Sequence, residues 1–363
     1  MTKGRCRSGW GLWLVLWLSG CATNAAHRRV AGEVDALTAR PDFHGVVLVA
    51  AGRGQAPYLR AHGMANAEAG VAATAATRYQ IGSVSKWLTS IVVLRLVERG
   101  TLGLDTPIGQ WLPALPEQTR ERVLLRHLLS NTSGIPNGVM EAYKKDRSMA
   151  LRQLSAAEAA RTYGSGALQA VPGAAWDYSL TNWVLVRALL EQANGKSFEQ
   201  TVEEELLGPL KLKDTGLPAG SFADVPGAAM GYTALQPVPQ RKLEPVPAYA
   251  AASGTFYSTA EDLRRIAEAI DGGGFLSADS VRELSTVTVP EARYALGGRV
   301  ETVLLGGRNR EVTWETGQLG AFKSVVAHVP GGGATVVILN NTNLPQSELG
   351  AAAQRLLQAI EPR

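Results

Sequence analysis

The chain has 363 residues, of which 45% are hydrophobic and 19% are charged, as is typical of a globular protein with one large domain or two modest ones. The chain has 36 Lys and Arg residues and 32 Asp and Glu residues. Lys3, Arg5 and Arg7 precede an apolar segment at the N-terminus, and without these three the basic residues number 33. A nearly neutral chain without a Lys/Arg cluster lacks the charge pattern of a nucleic-acid-binding protein. The five histidines are scattered and form no HExxH pair, so we predict neither a metal site nor a cofactor.

The first twenty residues have the pattern of a secretory signal peptide. Basic residues precede the apolar run GWGLWLVLWLSG (residues 9–20), which is too short to span a bilayer as a stable helix. The run leads into Leu-Ser-Gly-Cys (residues 18–21), which resembles the lipobox of bacterial lipoproteins, where cleavage precedes a cysteine that becomes diacylated. Because Cys6 would be removed, Cys21 would be the only cysteine of the mature chain. The alternative is a plain signal peptide followed by an incidental cysteine.

The lipobox predicts the organisation and the location of the protein. Residues 1–20 form the signal peptide, residues 21–30 a polar tether, and residues 31–363 a single domain. Ala22 follows the cysteine, and by resemblance to lipoprotein sorting this favours the outer membrane. We therefore expect a protein on the periplasmic face of the cell envelope, held to the membrane by lipid at Cys21.

Strand patterns lie at both ends of the chain, and helical patterns lie between them. Residues 31–41 are typical of a short amphipathic helix, and residues 45–63 of a β-hairpin around a Gly turn. Helical patterns dominate from Lys86 to about Glu268, with Gly100 and Gly195 placed as helix C-caps.

Four β-rich runs separated by Gly-rich turns follow near the end of the chain, and a helical pattern closes it. The strands are RVETVLL (299–305), REVTWET (310–316), KSVVAHV (323–329) and ATVVILNN (334–341), and the helix is SELGAAAQRLLQAI (347–360). Sequential strands usually pair, and the early hairpin must join the same sheet to bury its apolar face. The predicted fold is α/β in the α+β sense, an antiparallel sheet of N- and C-terminal strands flanked by helices, with a mainly helical insertion over about residues 84–280.

The segment YQIGSVSKWLTS (79–90) contains Ser83 three residues before Lys86. If a helix begins at Ser83, both side chains lie on one face, and the lysine amine can reach the serine hydroxyl. The free N–H groups of a helix N-terminus also stabilise a developing oxyanion. The alternative is that Ser83 simply caps the helix.

The residues around this pair resemble the serine β-lactamase and penicillin-binding superfamily, and within it the class C, esterase and D-alanyl carboxypeptidase-like branch. The resemblance runs from about Phe43 to Asn341. It rests on RYQIGSVSKWLTSIVVLRLVERGTLGLDTPIGQWLP (78–113), LLRHLLSNTSGIPN (124–137), LLGPLKLKDTGL (206–217) and SGTFYSTAEDL (253–263). It implies that Ser83 is the nucleophile and that Lys86 assists it.

A second family element, Tyr-x-Asn after a Pro-Gly turn, corresponds to PGAAWDYSLTNW (172–183). The resemblance implies that Tyr178 is the general base or proton shuttle beside Lys86. The asparagine position holds Leu180, whose apolar side chain cannot hydrogen-bond the acyl group of a substrate. Asn182 belongs to the flanking pattern.

A third element, Lys-Thr-Gly or His-x-Gly on a strand beside the site, corresponds to Glu315-Thr316-Gly317. Thr316 and Gly317 match the family pattern, whereas Glu315 reverses the usual charge. By the same pattern, the backbone N–H of Gln318 would form the oxyanion hole together with that of Ser83. An ionised Glu315 would repel substrates that carry a carboxylate.

Two functions follow from these residues. The first is a lipid-anchored serine hydrolase that acts on the carbonyl of a small ester or amide through an acyl-enzyme, with neutral esters favoured over β-lactams. The second is a catalytically silent envelope binding module, in which Leu180 and Glu315 have dismantled the site. Retention of Ser83, Lys86 and Tyr178 favours the enzyme.

Overall fold

The computed structural model describes residues 12–242 and 244–361, with side chains from residue 25 onward. The strands are β1 (Gly45–Ala50), β2 (Tyr58–His62), β3 (Met64–Asn66), β4 (Val71–Ala72), β5 (Tyr79–Gln80), β6 (Tyr232–Ala234), β7 (Gln240–Arg241), β8 (Tyr257–Ser258), β9 (Arg299–Leu305), β10 (Arg308–Leu319), β11 (Phe322–His328) and β12 (Thr335–Asn340). The α-helices are α1 (Leu12–Thr38), α2 (Val84–Glu98), α3 (Glu117–Arg122), α4 (Leu125–Leu129), α5 (Gly138–Lys145), α6 (Ala156–Tyr163), α7 (Leu180–Asn194), α8 (Phe198–Val202), α9 (Gly208–Leu210), α10 (Ala251–Gly254), α11 (Ala260–Asp271), α12 (Ala278–Ser285) and α13 (Gln346–Ile360).

The central sheet has the strand order β2-β1-β12-β11-β10-β9, with every neighbouring pair antiparallel. The first and last strands of the chain meet in the middle of this sheet, where Val47 lies opposite Ile338. The predicted hairpin, the predicted meander and their union in one sheet are confirmed. The fold class predicted from the sequence is therefore correct.

Successive side chains of a strand point to opposite faces of the sheet, and in this sheet both sets are apolar. Helices therefore cover both faces. On one face, Val47 and Val49 pack in a cluster with α1 and α13. On the other face, Val46 and Leu48 join the large core of the helical region, which includes α2 and α7. The sheet thus supports the helical region that lies between β5 and β9 in the chain.

Helix α7 ends as its sequence predicts. Gly195 adopts a left-handed conformation with φ of 64°, and its N–H donates to the carbonyl of Glu191. Glycine accepts this conformation without the steric cost that a Cβ would bring.

The N-terminal region differs from the prediction of a tether over residues 21–30. The backbone is helical throughout α1, which is much longer than the short helix expected at residues 31–41. Val30, Val34 and Leu37 have the spacing of one helical face and are buried in the cluster with α13, so the C-terminal part of α1 packs against that helix.

Much of the signal-peptide and lipobox prediction falls outside the described part of the chain. Residues 1–11 are not described, and neither is the side chain of Cys21. Within the residues that are described, no helix has the length and apolar character needed to cross a membrane.

The turn before α2 is fixed tightly against strand β10. Ser324 donates its hydroxyl to the carbonyl of Ile81 at 2.8 Å. A side chain at Gly317 would overlap that same carbonyl, so the strand approaches the turn backbone to backbone. Gly82 has φ of +52°, a conformation that favours glycine. These contacts place the start of α2 at the edge of the sheet.

Candidate active site

Ser83 and Lys86 lie together at the start of α2. The Lys86 ammonium donates to Ser83 Oγ at 3.1 Å and to the carbonyl of Ser253 at 2.5 Å. Lys86 is almost completely buried, with 1% of its surface exposed. Ser83 is the N-cap of α2, but its side chain makes no capping hydrogen bond. The hydroxyl is therefore directed to Lys86 and the cavity rather than used to cap the helix.

Tyr178 completes the cluster from the loop before α7. Its hydroxyl lies 2.7 Å from Ser83 Oγ, and Lys86 Nζ is 4.9 Å from the centre of its ring. Burial raises the pKa of the Tyr178 phenol, but the charge of Lys86 and the hydrogen bonds from Lys86 and Ser83 outweigh it and lower that pKa below its usual value. A phenol that loses its proton easily, beside a serine hydroxyl, is suited to accept the serine proton.

The backbone N–H groups predicted to form an oxyanion hole are close together. Ser83 and Gln318 both line the same cavity. A Cβ on Gly82 would come within 2.6 Å of the Gln318 nitrogen, so the turn before Ser83 touches the strand at Gln318. An oxyanion hole made of these two N–H groups requires this proximity.

The cavity beside Ser83 has a volume of about 300 Å³. It is lined by Ser83, Trp176, Tyr178, Tyr294, Gly297, Gly298, Arg299, Trp314, Glu315, Thr316, Gly317, Gln318 and Gln346. The residues predicted from the third family element, 315–318, are all in this lining. The two strand residues Thr316 and Gly317 lie between Glu315 and the predicted oxyanion hole.

Leu180 does not contact this cavity, and the prediction that it contacts substrate is corrected. It is the first residue of α7, and its side chain packs against the cluster that contains Val139, Val184 and Tyr249.

Glu315 is in the cavity, where its surroundings disfavour the ionised form that would repel a substrate carboxylate. Only 4% of its surface is exposed, and its carboxyl lies against the backbone of Gly298. Burial raises the pKa of this carboxyl well above its usual value, against the opposing effect of the Arg299 charge. A protonated Glu315 does not repel the carboxylate of a substrate.

Two asparagines that the sequence reasoning did not interpret hold the Tyr178 segment from both sides. The carbonyl of Asn131 accepts from Asp177 N at 2.8 Å, and its Oδ1 accepts from Ser179 N at 3.3 Å. Asn137 donates its Nδ2 to the carbonyl of Tyr178 at 3.2 Å. Both residues belong to the segment LLRHLLSNTSGIPN (124–137), so the resemblance of that segment to the family was the sequence feature that could have identified them.

Arg299 was also missed, because it opens a predicted strand and belongs to no motif. Its guanidinium lies 5.3 Å from the ring centre of Trp176 and 5.6 Å from that of Tyr294, and it donates to the carbonyl of Ala292 at 2.7 Å. Among the described residues, no carboxylate lies within 4 Å of it. It therefore supplies positive charge to one wall of the cavity.

The described residues contain no group of three or more His, Cys, Asp or Glu side chains that could hold a metal ion.

The fold and this cluster are those of a serine-type hydrolase, and comparisons with known proteins give its family. The family model described as Beta-lactamase matches residues 30–360. The esterase EstB of Burkholderia gladioli is 32% identical over 66% of this chain and 69% of its own, and a β-lactamase of Pseudomonas fluorescens is 25% identical over 92% and 98%. The protein belongs to the β-lactamase family of serine hydrolases.

Solved structures agree with this fold. A D-amino acid amidase from Ochrobactrum anthropi has a TM-score of 0.76 at 22% identity and covers 92% of this chain and 98% of its own. A penicillin-binding protein from Bacillus halodurans has a TM-score of 0.73 at 23% identity, covering 91% and 98%. The prediction of a serine hydrolase of the β-lactamase, esterase and carboxypeptidase type is confirmed at the level of this family, which favours the enzyme over the silent binding module.

The contacts of Asn131 predict an effect on activity without loss of the fold. Asn131 has φ of +56°, so glycine keeps its backbone conformation while removing the side chain. We expect Asn131→Gly to lower kcat for an ester by about 10- to 100-fold, because a small displacement of a catalytic group has effects of this size. Thermal unfolding would confirm that the variant is folded.

The matched control is Asn194→Ala, which removes one side-chain hydrogen bond, to Thr201, at the far end of α7. It should leave kcat unchanged. A folded Asn131→Gly variant with wild-type kcat would show that the asparagine does not position Tyr178.

Proposed function

We propose that this protein hydrolyses carboxylic esters through an acyl-enzyme formed on Ser83. The observation that carries the proposal is the position of the Ser83 hydroxyl, 2.7 Å from the Tyr178 hydroxyl and 3.1 Å from the Lys86 ammonium. A serine needs an adjacent base to become a nucleophile at neutral pH, and these two groups supply one.

The proton transfers follow from this arrangement. Ser83 Oγ attacks the ester carbonyl and gives its proton to Tyr178, while Lys86 stabilises the phenolate that receives it. The backbone N–H groups of Ser83 and Gln318 stabilise the oxyanion. Tyr178 then gives the proton to the departing alcohol. In the second half of the reaction, water attacks the acyl carbonyl and gives a proton to Tyr178. The bond between the acyl carbon and Ser83 Oγ then breaks, Tyr178 returns the proton to Ser83 Oγ, and the carboxylic acid leaves.

Neutral esters are the proposed substrates. The reason is the lack of a cation at position 315 and the apolar surface of the cavity, not repulsion between Glu315 and a substrate carboxylate. Position 315 offers no cation, so a substrate carboxylate gains no ion pair from that residue. The positive charge on this wall is that of Arg299, which lies over the rings of Trp176 and Tyr294. The aromatic residues Trp176, Tyr294 and Trp314 provide apolar surface for an acyl or alcohol group. Similarity to an esterase at 32% identity supports the same substrate class.

The proposal predicts that a fluorophosphonate labels Ser83 and no other serine. Intact-protein and peptide mass spectrometry would locate the adduct. Lys86→Ala should slow labelling by about 100-fold or more, the usual effect of removing a group that assists proton transfer. The control is Ser85→Ala, because Ser85 is a buried serine of the same helix that accepts a hydrogen bond from Phe256 N and has no predicted role in the reaction.

Labelling of a serine that persists in Ser83→Ala would refute the assignment of the nucleophile. An unchanged labelling rate in folded Lys86→Ala would show that this lysine has only a structural role. Efficient turnover of nitrocefin with little turnover of p-nitrophenyl butyrate would contradict the preference for neutral esters.

We also propose that the protein is a lipoprotein of the cell envelope, anchored at Cys21 on the periplasmic face of the outer membrane. Support comes from the sequence alone, in the basic start, the short apolar run and Leu-Ser-Gly-Cys at residues 18–21. A covalent acyl chain contributes roughly 0.8 kcal/mol of membrane affinity per buried methylene.

The anchor predicts where the protein partitions after expression in a Gram-negative host. The wild type should sediment with membranes, and Cys21→Ser should release it into the soluble fraction, as measured by immunoblot of both fractions. Cys6→Ser serves as the control, since the proposal assigns no lipid to that residue. Equal membrane association of the Cys21→Ser variant would contradict the lipobox assignment.

A further inference from the structure

Glu315 is a buried polar side chain with no partner. Its carboxyl lines the cavity beside Ser83, yet only 4% of the residue is exposed. Among the described residues, none hydrogen-bonds this carboxyl or lies within 4 Å of it as an ion-pair partner. The carboxyl oxygens are not fully enclosed and open on the cavity, so a substrate bound there can supply their hydrogen-bond partner.

The space for this carboxyl depends on a glycine. A Cβ on Gly298 would overlap both carboxyl oxygens and the carbon between them. Strands β9 and β10 are antiparallel, and Trp314 lies opposite Arg299 in the last pair of their ladder. Residues 298 and 315 are therefore neighbours just beyond its end. In this conformation, the carboxyl occupies the space that a side chain at position 298 would fill.

The charges around Glu315 come from several elements. Arg299 is on β9, Tyr294 is on the loop before it, and Tyr178 lines the cavity from the loop before α7. Lys86 lies behind this lining, in contact with Ser83 and Tyr178. Arg299 is the only one of these that bears on the Glu315 carboxyl strongly enough to lower its pKa, and burial outweighs it. Burial therefore favours the protonated form of this carboxyl, which has one O–H to donate.

We propose that the protonated Glu315 carboxyl recognises the substrate by donating a hydrogen bond to a neutral acceptor, such as an ether or carbonyl oxygen, next to the scissile ester. This inference rests on the proposed ester hydrolysis at Ser83. It narrows the substrates to uncharged esters that carry a further oxygen on the acyl or the alcohol side. A carboxylic acid that is kept neutral by burial can act as a hydrogen-bond donor in this way.

Two isosteric pairs of substrates test the donor. In the first pair, phenyl methoxyacetate has an oxygen where phenyl butyrate has a methylene, on the acyl side. In the second pair, 3-methoxyphenyl butyrate has an oxygen where 3-ethylphenyl butyrate has a methylene, on the alcohol side. For at least one pair, the ratio of kcat/KM for the oxygen-bearing ester to that for its isostere should fall by about 5-fold or more in Glu315→Leu. The ratio should be kept in Glu315→Gln, which is neutral and still donates.

Comparison between variants removes the intrinsic reactivity of each ester, because that reactivity is the same for every enzyme. Glu311→Gln, an exposed position on the same strand, is the matched control and should keep the wild-type ratio. Gly298→Ala should lower the ratio of kcat/KM values as Glu315→Leu does, since the added methyl group displaces the carboxyl.

The pH dependence has a defined sign. The donor exists below the raised pKa of Glu315 and is lost as pH rises through it, so the wild-type ratio should fall at high pH toward that of Glu315→Leu. The ratio for Glu315→Gln should not change over the same range. The ¹³C shift of the Glu315 carboxyl, assigned by its absence in Glu315→Gln, reports its protonation without reference to activity.

Equal ratios in wild type and Glu315→Leu, or an NMR titration that shows Glu315 ionised at neutral pH, would overturn the inference while ester hydrolysis at Ser83 stands. A wild-type enzyme that turns over none of the four esters would refute the proposed function and this inference with it.

Discussion

The burial of the Lys86 ammonium is the constraint on which the site depends. A charge with 1% of its residue exposed is costly unless polar groups surround it. Among the described residues, Lys86 has no carboxylate within 4 Å. Its partners are instead Ser83 Oγ, the carbonyl of Ser253 and the ring of Tyr178. These neutral groups stabilise the ammonium less than an ion pair would, so the charge is available to stabilise a phenolate on Tyr178.

The groups that contact the Lys86 ammonium come from three distant parts of the chain. Helix α2 provides Ser83 and Lys86, α10 provides the carbonyl of Ser253, and the loop before α7 provides Tyr178. Each part is held by its own backbone contacts, with α2 fixed against β10 and the Tyr178 loop held between two asparagines. The rigid sheet and the buried core of the helical region keep these contacts at hydrogen-bond distance.

The sequence predicted those features that local pattern determines. Strand alternation and Gly-rich turns located the central sheet, and the helical spacing of Ser83 and Lys86 placed both on one face of α2. Tyr178 required the family resemblance, because 95 residues separate it from Ser83 in the chain.

Other features depend on tertiary contacts and could not be predicted in this way. The raised pKa of Glu315 depends on burial, and the position of its carboxyl depends on the absence of a side chain at Gly298, which no local pattern links to it. The direction of Leu180 is set by the core that α7 packs against, and motif alignment gives only its position. The packing of α1 depends on α13, since Val30 and Val34 are buried in one cluster with residues of that helix.

The most direct test of the Ser83, Lys86 and Tyr178 account is the pH dependence of the acylation burst with p-nitrophenyl butyrate, in wild type and in Tyr178→Phe. The base is the deprotonated phenol, so the wild-type acylation rate should fall as pH decreases through the lowered pKa of Tyr178. The phenylalanine variant should acylate about 100-fold more slowly and lack this decrease. A folded Tyr178→Phe enzyme with the wild-type rate and the same dependence on pH would contradict the account.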